Sequence, residues 1–340
     1  MGNRNCLNKA KSKKDDEFYT RRTDIEQELR FYKNHFKDKV VYLNCDDPAE
    51  SEFWQYFVRQ FNAWELKGLI STHYDPTEPT YKLEIKREDV DIDLDVVPEE
   101  AIKREDIESN GDFRSACCIE LLKRSDVVVT NPPFSLFREY MAQLVEYNKE
   151  FLVIGNMNAY TYKEIFPLIK DGKVWIGNTH PKEFVRPDGT IKKFGNISWF
   201  TNMDITKRHT TLDLQGNYYE DSFYPKYDNY NAIEVSKVCM IPCDYDGVMG
   251  VPITYLDQHN PDDFDLLGCS SSESNLFGFL PSELSEDFRN LIKNKRVRTK
   301  GSPSKTKPCW VDDGGYANVG YHRLFIKNKH PQPPHKEEEE

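Results

Sequence analysis

The sequence predicts an α/β fold: a mostly parallel sheet covered by helices on both faces, followed by a region of different character. Three observations predict it. Strand-like runs alternate with helical spacing over residues 39–201, the pattern of β-α-β units. At the centre of that stretch, Ser125-Asp126-Val127-Val128-Val129-Thr130-Asn131-Pro132-Pro133-Phe134 sets three β-branched valines in a row, which reads as a buried parallel strand. Beyond residue 203 the helical spacing fades, and Tyr, Asn, Asp and Pro accumulate, as in Tyr224 to Tyr230. The expected division is a mobile basic stretch at 1–15, a catalytic sheet domain at 16–202, a second region at 203–330 and a disordered acidic tail at 331–340.

Composition bounds the function. The chain has 340 residues, a formal net charge of −11, 30% charged residues and 38% hydrophobic ones. That is a soluble globular balance. Its acidity argues against a protein that coats nucleic acid, while leaving room for a local basic groove. No apolar run approaches a membrane span, and the polar start is not a secretory signal. The 8 cysteines are scattered and the 8 histidines do not fall at zinc spacing beside them. No metal is expected, and the thiols fit a reducing cytoplasm.

The elements follow in order. Phe18 and Tyr19 precede a helix over about 23–36, with Ile25, Leu29, Tyr32 and Phe36 on one face. The two aromatics staple its start or close over a bound nucleoside. Lys39 to Asn44 is the first strand, ending in Cys45-Asp46-Asp47-Pro48. Phe53, Phe57, Phe61 and Trp64 form a helix face, and Gly68 to Tyr74 is the next strand, ending at Asp75-Pro76. This β-α-β unit has the span of a nucleotide-binding half. Asp75 stands where such folds hold ribose hydroxyls, although Asp-Pro also starts ordinary turns.

Residues 76–108 alternate in charge and read as an inserted hairpin with a solvated face. Gly111-Asp112-Phe113 precedes a helix. It offers a carboxylate and a ring to an adenine, or equally a capped helix start. After the central strand come a helix, a strand at 151–155, a helix at 162–169, a strand at 173–177, a Gly- and Pro-bearing loop at 178–196 and a last strand at 197–201. Farther on, Lys293, Lys295, Arg296, Arg298, Lys300, Lys305 and Lys307 lie among Gly, Ser and Pro. In an acidic chain this run is the candidate for phosphate contacts; a solvated loop is the alternative.

The chemistry centres on Asn131, Pro132, Pro133 and Phe134. They sit at the carboxyl end of a parallel strand, where open α/β sheets bind ligands. Adenine's exocyclic amine is a poor nucleophile because its lone pair is delocalised into the ring. An Asn oxygen can accept one of its hydrogens, and a carbonyl freed by a following proline can accept the other. An aromatic ring can stack on the base. Asn-Pro is also an ordinary helix cap with proline in the first turn.

Several long pieces in one order carry a resemblance: Asp16 to Thr20, Tyr42 to Pro48, Gly111 to Ser115, Val129 to Tyr140, Tyr224 to Tyr230 and Asp244 to Thr254. Over 16–329 the chain resembles the EcoRI-type adenine-specific DNA methyltransferases. The resemblance implies a Rossmann-like sheet dependent on S-adenosyl-L-methionine, with a C-terminal target-recognition region. It implies methyl transfer to adenine N6 in double-stranded DNA, at GAATTC or a related site, with a possible cognate restriction endonuclease as functional partner. Asn131, Pro132 and Phe134 match the amine motif, with Pro133 beside them. Tyr19, Asn44, Asp46, Asp75, Asp112 and Phe113 would line the cofactor pocket; the basic run, not the resemblance, makes Arg296, Arg298 and Lys300 the candidates to meet DNA. The usual glycine-rich turn after the first strand is replaced by Asn44 to Pro48. Methylation of RNA or of a protein glutamine would use the same groups. A silent DNA-binding relative is a further alternative, against which the intact tetrapeptide speaks. A nicotinamide oxidoreductase lacks its G-x-G-x-x-G.

Overall fold

The computed structural model describes residues 18–45, 47–91, 93–94, 96–219, 224–271, 278–299 and 306–333. It contains two compact units. The first comprises 1–159 and 174–205; the second comprises 160–173 and everything from 206 onward.

In chain order the first unit carries β1 (Tyr19–Thr20), α1 (Arg22–Leu29), α2 (Lys33–Phe36), β2 (Val40–Leu43), α3 (Glu52–Gln60), β3 (Gly68–Thr72), β4 (Thr80–Lys86) and β5 (Lys103–Ile107). Then come α4 (Ala116–Arg124), β6 (Val127–Thr130), α5 (Phe137–Glu146) and β7 (Glu150–Asn156). After α6 (Phe166–Lys170), which belongs to the second unit, follow β8 (Trp175–Ile176), β9 (Glu183–Val185), β10 (Ile191–Lys193) and β11 (Ile197–Thr201).

An eight-stranded sheet runs β5-β4-β3-β2-β6-β7-β11-β8. Its centre, β3-β2-β6-β7, is parallel. The flanks are antiparallel: β4 on β3, β5 on β4, β11 on β7 and β8 on β11. The expected mostly parallel sheet is thus a mixed one. Only the short connection 73–79 joins β3 to β4, and short connections give antiparallel neighbours.

The charge alternation in 80–86 also has a different meaning from a solvated face. Lys82 and Glu84 are both buried. Lys82 Nζ bonds Glu84 at 2.5 Å and Glu105 at 3.0 Å, and Arg124 reaches the other oxygen of Glu84 at 2.6 Å. Mutual pairing lets a charged strand face enter the sheet. The single helix expected at 23–36 is two, α1 and α2. The strand expected at 173–177 is reduced to two residues.

Val127, Val128 and Val129 are each 0% exposed, so β6 is covered on both faces. Gly155 on β7 lets the Phe137 ring at the start of α5 lie against the strand; a Cβ there would fall 2.5 Å from a ring carbon. On the other flank, α3 starts at its Ser51 cap, whose hydroxyl accepts from Phe53 N–H at 3.1 Å. Phe53 and Phe57 join Phe36, Phe61 and Trp64 in the core, with the Phe36 and Trp64 rings stacked 5.2 Å apart.

The loop 178–196 is not irregular. It folds β9 and β10 into a hairpin, and β1 adds antiparallel to β9. Its start is fixed by Glu28 of α1, which is 0% exposed. This carboxylate accepts from the N–H groups of Asn178 (2.7 Å) and Thr179 (2.6 Å), from the Thr179 hydroxyl (2.7 Å) and from Tyr32 (2.8 Å). Burial pushes the Tyr32 hydroxyl well above its ordinary range, so it stays a donor.

The second unit holds a four-stranded sheet in the order β12 (Ile233–Glu234), β13 (Val248–Val251), β17 (Leu324–Asn328) and β14 (Phe264–Cys269). Glu234, 2% exposed, takes Arg323 at 2.5 and 3.1 Å and the Tyr227 hydroxyl. A helix, α7 (Glu286–Lys293), packs with the hairpin β15 (Cys309–Val311) and β16 (Ala317–Val319) around Phe288.

Glu28→Gln replaces one acceptor oxygen by an amide that faces backbone donors. It is expected to lower the unfolding free energy by about 3 kcal/mol, the scale of a lost charge-assisted bond plus an orphaned donor. Urea unfolding would read this as a lowered midpoint; an unchanged midpoint would show that the carboxylate is not what fixes the loop.

Candidate functional site

The order of the large sheet defines a place for a ligand. From β2 the chain moves outward to β3 on one side, and β6 lies on its other side. The strand order reverses between β2 and β6, and the carboxyl ends at such a reversal form the ligand crevice of open α/β sheets. The two strands are in parallel register, Val41 opposite Val127 and Tyr42 opposite Val128. They end at Leu43 and Thr130, so both chains leave the sheet at this edge; by the register Asn44 stands level with Thr130, one residue before Asn131.

Asn131 is 8% exposed. Its Nδ2 donates to the backbone carbonyl of Phe18 at 2.6 Å. That bond assigns the two ends of the amide, leaving Oδ1 as its acceptor side. Two residues on, the Pro133 carbonyl accepts from Leu136 N–H at 2.9 Å, closing the turn into the short 3-10 helix Phe134–Leu136. Pro133 has no N–H to offer. The carbonyl of Pro132 is therefore the candidate second acceptor beside Asn131.

Phe134 lies in a nest of three other rings. It stacks with Phe18 (centroids 6.2 Å apart, planes at 26°) and meets Phe184 and Phe194 edge-on at 6.4 and 5.8 Å. It keeps partial exposure. Phe18 comes from the segment entering β1, and Phe184 from β9; Phe194 follows β10. The small sheet β1-β9-β10 thus supports the tetrapeptide.

Asn44, 2% exposed, accepts through Oδ1 from the Tyr140 hydroxyl of α5. Among the described residues, nothing accepts from its buried Nδ2. A buried donor without a partner is rare in native proteins, and at this edge it fits a ligand rich in acceptors. Tyr140 also holds Phe113, ring edge to ring face at 5.0 Å, and Gln143 of the same helix donates to the Phe113 carbonyl at 3.1 Å. Phe113 itself is 5% exposed, packed as a core ring.

The remaining cofactor candidates are placed as follows. Both oxygens of Asp112 are engaged by Arg114, at 2.9 Å from Nε and 2.7 Å from a terminal nitrogen; Arg114 also reaches Glu139 at 3.0 Å. The preceding Gly111 adopts φ +77 and presses on the His73 carbonyl, 1.9 Å from where a Cβ would stand, so only glycine fits. Asp75 Oδ1 accepts from Thr77 N–H (2.8 Å), Thr77 Oγ1 (2.9 Å) and Glu78 N–H (3.2 Å). Backbone and hydroxyl donation from Thr77 holds its carboxyl below the usual range. Tyr19 lines a cleft of about 420 Å³ with Arg21, Arg22, Glu50, Glu52 and Arg186. Asp46 lies outside the described residues.

Of the basic run, Arg296 and Arg298 flank the Tyr316 ring at 5.2 and 4.7 Å. Arg298 Nε also pairs with Asp312 at 2.6 Å, which offsets part of its charge. Lys300 is outside the described residues. These groups belong to the second unit.

The site has members that reading the sequence missed. Phe184 and Phe194 lie in a stretch read as a loop, although their spacing flanks a Pro-Asp-Gly turn that could have signalled a hairpin. Tyr140 is buried on α5, and nothing in the sequence signals that its hydroxyl reaches Asn44. Just after β3, His73 Nε2 faces Asp47 at 3.3 Å and its ring stacks on Tyr81 at 5.0 Å.

Among known proteins, the family model described as "Adenine-specific methyltransferase EcoRI" matches residues 6–329. The Type II methyltransferase M.EcoRI of Escherichia coli is 44% identical over 321 residues, covering 86% of this chain and 97% of that protein. Type II methyltransferase M.MpnI of Mycoplasma pneumoniae is 41% identical over 283 residues, covering 77% and 85%. Type II methyltransferase M.MgeORF184P of Mycoplasma genitalium is 36% identical over 285 residues, covering 77% and 86%. No solved structure matches the chain. With a family match across nearly its whole length and relatives of 36%, 41% and 44% identity, the chain belongs to the EcoRI-type adenine-specific DNA methyltransferases.

Proposed function

We propose that the protein methylates adenine N6 in double-stranded DNA, within GAATTC or a related site, using S-adenosyl-L-methionine, as the modification part of a restriction–modification system. The observation that carries the reading is the Asn131 amide, fixed at the carboxyl end of β6 with Nδ2 on the Phe18 carbonyl. The relatives named as Type II methyltransferases support the DNA target and the restriction context.

The cofactor supplies a methyl group on a sulfonium, already activated for transfer. Asn44, at the end of the neighbouring strand β2, would hold it through the buried amide nitrogen. Tyr19, Asp75, Asp112 and Phe113 are the further candidates around it, Asp112 by exchanging its Arg114 partner. What this chain adds is position and exclusion of water. A target adenine is out of reach inside a duplex and must be flipped out. Asn131 Oδ1 and the Pro132 carbonyl then accept the two amine hydrogens. As the nitrogen turns tetrahedral and gains positive charge, both acceptors bind it more strongly, which is transition-state stabilisation. No strong base is required, because the amine sheds its proton only after becoming cationic. Phe134 offers the flipped base a ring. The second unit, with Arg296 and Arg298 around Tyr316, supplies candidates for the phosphate backbone.

Incubation with labelled S-adenosyl-L-methionine and duplex DNA, RNA or protein tests the class, and mapping of modified adenines tests the site. Modification centred on an unrelated sequence would refute the shared target alone. Asn131→Ala is expected to abolish transfer while leaving cofactor binding nearly intact; activity near wild type would sink the assigned role. Phe134→Ala should weaken the flipped state by about 1–3 kcal/mol, the value of a base–aromatic stack. A 2-aminopurine at the target position reads this directly, and unchanged fluorescence would count against stacking. Arg296→Gln combined with Arg298→Gln should flatten the salt dependence of DNA binding by up to about one unit of slope per phosphate contact. An unchanged slope would mean that these side chains serve the hairpin only.

A further inference from the structure

Asn131 is held by a group that can only accept. The Phe18 carbonyl lies 2.6 Å from the amide nitrogen, and a carbonyl has no proton to give. Its place is fixed from three directions. Tyr19 and Thr20, which follow it, pair with Val185 and Phe184 of β9. The Phe18 ring stacks with Phe134 and meets Phe194 edge-on at 4.9 Å. The side chain is 9% exposed.

An aspartate at position 131 could accept amine hydrogens as well as asparagine can. Against this carbonyl it would set two acceptors at hydrogen-bond distance with no proton between them. We propose that Phe18 is a positioning residue of the reaction: its carbonyl orients the Asn131 amide so that the oxygen faces the target amine, and its ring holds Phe134 in the same step. The choice of Asn at 131 follows from the neighbouring backbone as much as from the methyl transfer. This rests on the reading of Asn131 as the acceptor of the target amine.

The charged groups on the surrounding elements are largely paired with one another. Arg21 and Lys193 pair with Glu183, and Arg114 pairs with Asp112 and Glu139. Lys192 lies over the Phe194 ring at 5.9 Å, Arg138 stands in the first turn of α5, and Lys182 and Arg186 flank β9. A carboxyl placed at 131 would stand against the Phe18 carbonyl, an acceptor that favours the protonated form.

The test is Asn131→Asp in the full chain. Protonated, its carboxyl is an isostere of the amide, donating to Phe18 and presenting an oxygen to the amine. Carbon-detected titration is expected to place that carboxyl above the ordinary value of about 3.9. Methyl transfer at pH 8 should fall far below wild type and recover as pH drops toward the raised value, on a limb the wild type lacks. A carboxyl that titrates normally, or activity that does not follow its protonation, would overturn the positioning role. Phe18→Ala keeps the carbonyl but loses the ring clamp; about a tenfold loss in kcat with KM for DNA nearly unchanged is expected, and an unchanged kcat would also overturn it. Full activity in Asn131→Ala would instead remove the reading of Asn131 on which the inference stands.

Discussion

Three valines that must all leave water set the rest in place. A strand with 127, 128 and 129 all buried cannot sit at an edge or face solvent on either side. It has to lie inside a covered sheet, between β2 and β7. Once it does, Asn131 emerges at the carboxyl edge, next to the end of β2. Two prolines then stop the ladder where the polar groups are wanted. Hydrophobic burial thereby decides where the chemistry stands.

Position alone does not orient a side chain. The amide of Asn131 and the ring of Phe134 take their directions from outside the large sheet, through the small sheet β1-β9-β10. That sheet is in turn tied down by a buried carboxylate, Glu28, satisfied entirely by neutral donors. Four bonds to one anion replace its hydration, which is what makes such burial tolerable. The chain of cause runs from α1 through the loop at 178–179 to the rings around the tetrapeptide.

Much of this was legible in the sequence, and the parts that were not share a cause. The central strand, its proline stop and the flanking helices follow from β-branched runs and helical spacing, which are local signals. The tetrapeptide was legible because its residue types answer to one amine. The hairpin within 76–108 was legible, but its burial in the large sheet was not, since Lys82 and Glu84 look solvated until Glu105 and Arg124 are brought beside them. Nor could Tyr140 be read as the partner of Asn44, which lies 96 residues earlier. Asp75 and Asp112 carry the right chemical type, but the donors that engage them come from their own turns. Local pattern names the groups; only pairing across the chain says which of them are already engaged.

The bond between Asn131 and Phe18 joins residues 113 apart, and β1 reaches still farther, to β9. Contacts of such separation form late, because the loop they close must first lose its freedom. During synthesis the segment around Phe18 emerges early and has no strand to join until β9 has been made. The large sheet can assemble its central strands before then, with the tetrapeptide at their edge and its amide still unaligned. Maturation of the catalytic edge is therefore tied to completion of the 178–196 hairpin, and a nascent chain shorter than that carries the motif without its geometry.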